Sequence, residues 1–173
     1  MIKTIAEWPT HPTAWKLLFI SALGLEVCAL YFQYVLDLQP CIMCVYQRTA
    51  VFGVLFAALL GIFSSENTLL RLLAQALWLV SAIWGLLIAR EHVAIQQDPF
   101  GFFAGCEIVP NFPSWAPLHE WLPQIFAATG DCGDIDWQFL GMSMPQWMVV
   151  VFGIYTALAV SVTLIRWFAL KKA

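Results

Sequence analysis

Five cysteines and one arginine hold most of the chemistry in this 173-residue chain. Cys41-Ile42-Met43-Cys44 is a C-x-x-C preceded by Pro40, Cys106 and Cys132 follow 26 residues apart, and Cys28 stands alone. A C-x-x-C that opens a helix has free backbone N–H groups and roughly half a unit of positive charge beside it, and both favour a thiolate. In such motifs a thiol pKa falls from about 8.5 to as low as about 3.5. Arg48 lies four residues beyond Cys44 and seven beyond Cys41, so on a helix the three share one face. A fixed cation beside such a pair describes a redox-active centre.

The four cysteines other than Cys28 allow three pairings. Nearness in sequence favours Cys41 with Cys44, which leaves Cys106 with Cys132. Zinc is a competing use of a C-x-x-C, but structural zinc sites take their ligands from two tight knuckles, which Cys106 and Cys132 do not form. Two inert disulfides are another, but a C-x-x-C closes too short a loop to constrain much chain. We expect no metal. Cys28 reads as a small apolar filler.

The elements that position these residues follow from composition. Hydrophobic residues make up 61% of the chain and charged residues 11%, with 9 Trp and 13 Phe, against roughly 45–50% and about 25% in soluble domains. A net charge of −3 with 8 Lys+Arg argues against a nucleic-acid partner. Four apolar stretches, 17–36, 45–63, 69–89 and 147–165, hold 20, 19, 21 and 19 residues. About 20 helical residues cross a bilayer core of roughly 30 Å, and backbone polar groups in lipid must pair within their own segment. The expected fold is therefore all-α, a four-helix transmembrane bundle forming a single domain over 1–173.

Basic residues set the expected orientation. Lys3, Lys16, Arg71, Arg166, Lys171 and Lys172 fall on one side of a four-span chain, leaving Arg48 and Arg90 on the other. Both termini should then be cytoplasmic, with loops 37–44 and 90–146 outside, in the oxidising compartment where disulfides persist. In the long loop Trp115, Leu118, Leu122, Ile125 and Phe126 recur at helical spacing. They predict a short outer-surface helix, lying on the membrane or capping the bundle. Glu26 is an ionisable group deep in the first span and so a candidate polar site; a structural contact between helices is the other reading.

Several stretches match a known family: Glu26, Pro40-Cys41-x-x-Cys44, Arg48, Glu91-His92, Cys106, Pro123-Gln124-x-Phe126-x-x-x-Gly130-Asp131-Cys132, and Phe139-Leu140-Gly141-x-x-Met144-Pro145-Gln146-Trp147. On these the chain resembles the DsbB family of bacterial inner-membrane disulfide bond formation proteins over nearly its full length; the DsbI branch shares the core motifs. The resemblance implies a disulfide-generating oxidoreductase that reoxidises a periplasmic thioredoxin-fold oxidase, DsbA-like, and passes electrons to ubiquinone or menaquinone in the bilayer. It implies disulfides Cys41–Cys44 and Cys106–Cys132, with electrons entering at Cys106. Cys132 then attacks Cys41 and frees Cys44 beside a quinone site formed with Arg48. For His92 the family suggests a hydrogen bond to a quinone carbonyl, against a residue that only marks the end of span three. The DsbA–DsbB–quinone route is the known kinetic oxidant of the periplasm, and DsbA, near −120 mV, needs a strong acceptor. A non-catalytic membrane assembly factor with structural disulfides is the competing class.

Overall fold

The structure, a computed structural model, describes residues 12–64, 67–97 and 109–170. Four long helices dominate these: α1 (Pro12–Tyr34), α2 (Ile42–Phe63), α3 (Thr68–Gln97) and, at the C-terminal end, α6 (Met144–Leu170). Each is long and apolar enough to cross a membrane. Between α3 and α6 lie two one-turn helices, α4 (Leu118–Trp121) and α5 (Pro123–Phe126), and a hairpin of β1 (Gln138–Phe139) and β2 (Met142–Ser143). The expected all-α membrane bundle is the fold found.

The main helix contacts run α1 to α2, α2 to α3 and α3 to α6. Small residues permit this close packing, as is usual between helices in lipid. Ala22, Ala57, Ala58, Ala74, Ala82 and Ala159 are fully buried along the contacts. At Gly85 a Cβ would overlap the Phe152 ring, and at Gly61 it would overlap the Trp15 ring. The outward faces are apolar: Ile20, Phe56, Phe63, Val80, Leu87 and Ile154 are all exposed. Exposed apolar surface on this scale belongs in lipid. Cys28 is also exposed on α1, so it faces outward rather than filling the core.

The helices overrun the apolar stretches that predict them. α3 continues through Arg90, Glu91 and His92 to Gln97, so the connection expected from residue 90 starts later. Falling hydropathy marks where a helix leaves lipid, whereas the backbone ladder continues until something breaks it. The short helix expected across 115–126 is interrupted at Leu122 (φ −133°, ψ 62°). Proline at 123 disfavours helical geometry in the residue before it. The segment packs onto the bundle through Phe126, which is buried against Phe52 and Phe112, while Trp115, Trp121 and Leu122 are exposed.

The hairpin pairs Gln138 with Ser143 and Phe139 with Met142. Its two-residue loop has positive φ at both Leu140 (52°) and Gly141 (76°), the geometry that matches strand twist. It delivers the chain to α6, where the Ser143 N–H donates to Gln146 Oε1 at 2.8 Å, one half of a capping box.

Candidate functional site: a thiol pair, a cation and a docked loop

Cys41 is the N-cap of α2, in extended geometry, and its sulfur accepts the Cys44 backbone N–H at 3.2 Å. The cysteine side chain thus caps the helix as a serine would. Both cysteines are free, and the Cys41 thiol donates to Cys44 with the sulfurs 2.7 Å apart. The structure holds the two sulfurs as a close, unbonded pair. The cap geometry brings the sulfurs together without the covalent bond. The Cys41 thiol is pushed above the ordinary thiol range, first because its proton is held in the bond to Cys44 and then by burial. Cys41, Cys44 and His92 bring their donor atoms within 4.8 Å of one another.

The second cysteine loop is docked onto this helix start. The N–H groups of Thr129 and Gly130 both donate to the Pro40 carbonyl, at 3.0 and 3.1 Å. A Cβ on Gly130 would collide with the Gln39 carbonyl oxygen, so this approach requires glycine. Two residues on, Cys132 packs with Cys41 and Ile42 in one buried cluster; Cys41 is 2% exposed and Cys132 1%. Cys132 is disulfide-bonded. Cys106 lies outside the described residues.

Arg48 is buried one turn beyond Cys44. Its Nη1 donates to Gln33 Oε1 at 2.9 Å and to the Ile125 carbonyl, and its Nε lies 3.8 Å from Glu26 Oε2. Glu26 and Gln33, seven residues apart on one face of α1, thus grip the same guanidinium. Glu26 pairs with a charge from another helix, which is the structural contact that one of its two readings expects. Glu91 is exposed, whereas its neighbour His92 is buried and faces the cysteines. His92 Nε2 lies 3.6 Å from Cys41 Sγ and 3.2 Å from the Cys132 carbonyl oxygen. Its Nδ1 is 3.0 Å from Gln47 Nε2.

Two cavities flank the cluster. One of about 110 Å³ opens toward the loops past Cys41, Cys44, Asp131 and Trp137. The other, about 70 Å³, lies between α1 and α6 and is bordered by Glu26, Cys44, Arg48, His92, Pro145 and Met148. A thiol, a cation and apolar walls therefore meet at one end of the bundle.

Comparison with known proteins agrees with this arrangement. The family model "Disulfide bond formation protein DsbB" matches residues 11–162. The chain belongs to the DsbB family. It is 62% identical to disulfide bond formation protein B of Pseudoalteromonas atlantica over 84% of each chain. The corresponding protein of Pseudoalteromonas translucida is 54% identical, over 88% of this chain and 89% of its own. That of Aeromonas salmonicida is 50% identical, over 95% of this chain and 94% of its own. Membership in DsbB makes the chemistry that of disulfide formation and the setting a membrane crossed several times.

Of the residues singled out in the sequence, Cys41, Cys44, Cys132, Arg48, His92 and Glu26 converge. Gln33, Gln47 and the Ile125 carbonyl were not foreseen. Gln33 and Gln47 carried one available signal, since uncharged amides within apolar spans need partners.

Proposed function

We propose that the chain is a quinone-dependent thiol–disulfide oxidoreductase of the bacterial inner membrane that reoxidises a periplasmic, thioredoxin-fold dithiol oxidase. The observation that carries this reading is the continuous path from docked Cys132, through Cys41 and Cys44, to the cavity beside Arg48. In this reading both termini are cytoplasmic and the cysteine end of the bundle faces the periplasm.

The path works by successive thiol–disulfide exchange. A thiolate of the reduced partner attacks Cys106, and the Cys106–Cys132 bond breaks. Cys132, released as a thiolate beside Cys41, attacks Cys41 Sγ, and the Cys41–Cys44 bond breaks with its electron pair leaving on Cys44. The partner's second thiolate resolves the mixed disulfide, which leaves the partner oxidised and Cys106 reduced. Cys106 then attacks Cys132, restoring the outer disulfide and returning Cys41 and Cys44 as a dithiol.

The residues around the smaller cavity match a quinone in chemistry, and the cavity, at about 70 Å³, widens to admit the ring. Arg48 offers a cation to a carbonyl oxygen, Cys44 offers a sulfur, and Leu25, Val51 and Met148 offer apolar contact. When bound, a quinone supplies the acceptor for the two electrons and two protons that Cys41 and Cys44 give up as their disulfide closes. Arg48 favours the Cys44 anion, and Glu26 and Gln33 fix where that charge sits.

The test is quinone reduction in proteoliposomes on adding a reduced thioredoxin-fold oxidase. Stoichiometric quinol and oxidised partner are expected. No quinone reduction with a competent partner contradicts the reading.

A further inference from the structure

We propose that Gln47 is a positioning residue: it sets the tautomer of His92 and, through that ring, holds Cys132 in register on Cys41. The inference rests on the exchange between Cys132 and Cys41 proposed above. Gln47 and His92 are 4% and 2% exposed, on α2 and α3. Hydrogen-bonding capacity decides the proton's place on the ring. The Cys132 carbonyl oxygen can only accept, so Nε2, 3.2 Å away, must carry a proton. A neutral imidazole then has a lone pair on Nδ1, which needs a donor. The Gln47 amide nitrogen, 3.0 Å from Nδ1, is that donor. Both ends of the ring therefore call for the same tautomer, and the amide orientation follows from it.

The consequence falls on the two cysteines. The Nε2–H sits between the Cys132 carbonyl and, at 3.6 Å, Cys41 Sγ. One N–H thus ties the backbone of the attacking cysteine to the sulfur that is attacked. Gln47 touches neither cysteine in the hydrogen bonds of this cluster and acts through the ring, as the outer partner of a metal-bound histidine does. Without the amide the buried Nδ1 lone pair is unmet, and the ring turns or the proton shifts to satisfy it.

The experiment has two arms, both on the full-length chain in nanodiscs. The first labels histidine with ¹⁵N and reads protonation of each ring nitrogen of His92. Wild type is expected to show Nε2–H with bare Nδ1. Gln47→Glu is expected to put a proton on Nδ1 as well as Nε2, because a carboxylate then accepts at one end of the ring and the Cys132 carbonyl at the other, and Gln47→Met is expected to give a mixture of tautomers. The second arm adds the reduced thioredoxin-fold partner without quinone and times the Cys41–Cys132 linkage by quenching and peptide mapping. Gln47→Met is expected to slow this linkage about tenfold while leaving mixed-disulfide formation at Cys106 unchanged. In a His92→Ala background the same substitution should add no further slowing, since the two residues act as a unit. A wild-type ring protonated at Nδ1 overturns the proposal. So does equal slowing with and without His92, which is the mark of a merely structural role. If wild type forms no Cys41–Cys132 linkage, the relay itself fails, and the ring measurement still decides the tautomer.

Discussion

The backbone N–H of Gly130 donates to the carbonyl of Pro40 at 3.1 Å, and this bond brings the loop carrying Cys132 to the residue before Cys41. The contact lies between backbone groups 90 residues apart, and a Cβ at Gly130 would strike the Gln39 carbonyl. Gly130→Ala should therefore lift the loop without touching either sulfur. We expect Cys41–Cys132 exchange to slow at least tenfold, read by quenched peptide mapping, with thermal stability of the helical bundle changed little. Exchange at the wild-type rate would mean that the docking bond does not set the register.

How far the sequence foretells this arrangement depends on the range of the interactions. The spans, the C-x-x-C and the placement of Arg48 are legible because each is fixed by neighbours within two helical turns. Gln47, Gln33 and the Ile125 carbonyl were not legible, because their roles exist only once three separate segments meet around Arg48 and His92. The continuation of α3 to Gln97 was missed for another reason: hydropathy reports solvent, and His92 belongs to a helix that has passed out of its apolar stretch. A charge within an apolar span marked Glu26 as a candidate, and family likeness supplied His92. Their partners, Arg48 and Gln47, come from the packing.

Arg48→Met should weaken quinone use, seen as a rise of about tenfold or more in the quinone concentration needed for half-maximal rate. It also leaves the Glu26 carboxyl, buried and 3.8 Å from the lost guanidinium, without its counter-charge. Breaking a buried pair by removing one partner costs about 3 kcal/mol or more. The double variant with Glu26→Gln should recover much of that stability in thermal melting and none of the quinone use. Recovery of both would place Arg48 in packing alone.

Cys106→Ser should block electron entry from the partner while leaving quinone binding intact. The measurements are partner oxidation under turnover and equilibrium quinone binding. Partner oxidation at the wild-type rate would move the entry point away from Cys106.

In the reduced protein, Cys41 should resist alkylation. Its proton is shared with Cys44 and its sulfur is buried, so its pKa lies above the ordinary thiol value of about 8.5. Raising the pH through that value should leave Cys41 slow to react with iodoacetamide, with modification rising only at more alkaline pH. Cys44→Ala removes the acceptor and should bring Cys41 toward ordinary behaviour. A Cys41 midpoint at or below about 8.5 with Cys44 present would contradict the hydrogen-bond assignment.

The central claim is that electrons cross between the two cysteine pairs, and disulfide mapping tests it most directly. The quinone-free protein is mixed with the reduced thioredoxin-fold partner, acid-quenched, alkylated and digested. The account predicts a Cys41–Cys132 disulfide with Cys44 alkylated, formed as the partner is consumed. Partner oxidation with Cys41 linked only to Cys44 throughout would contradict it.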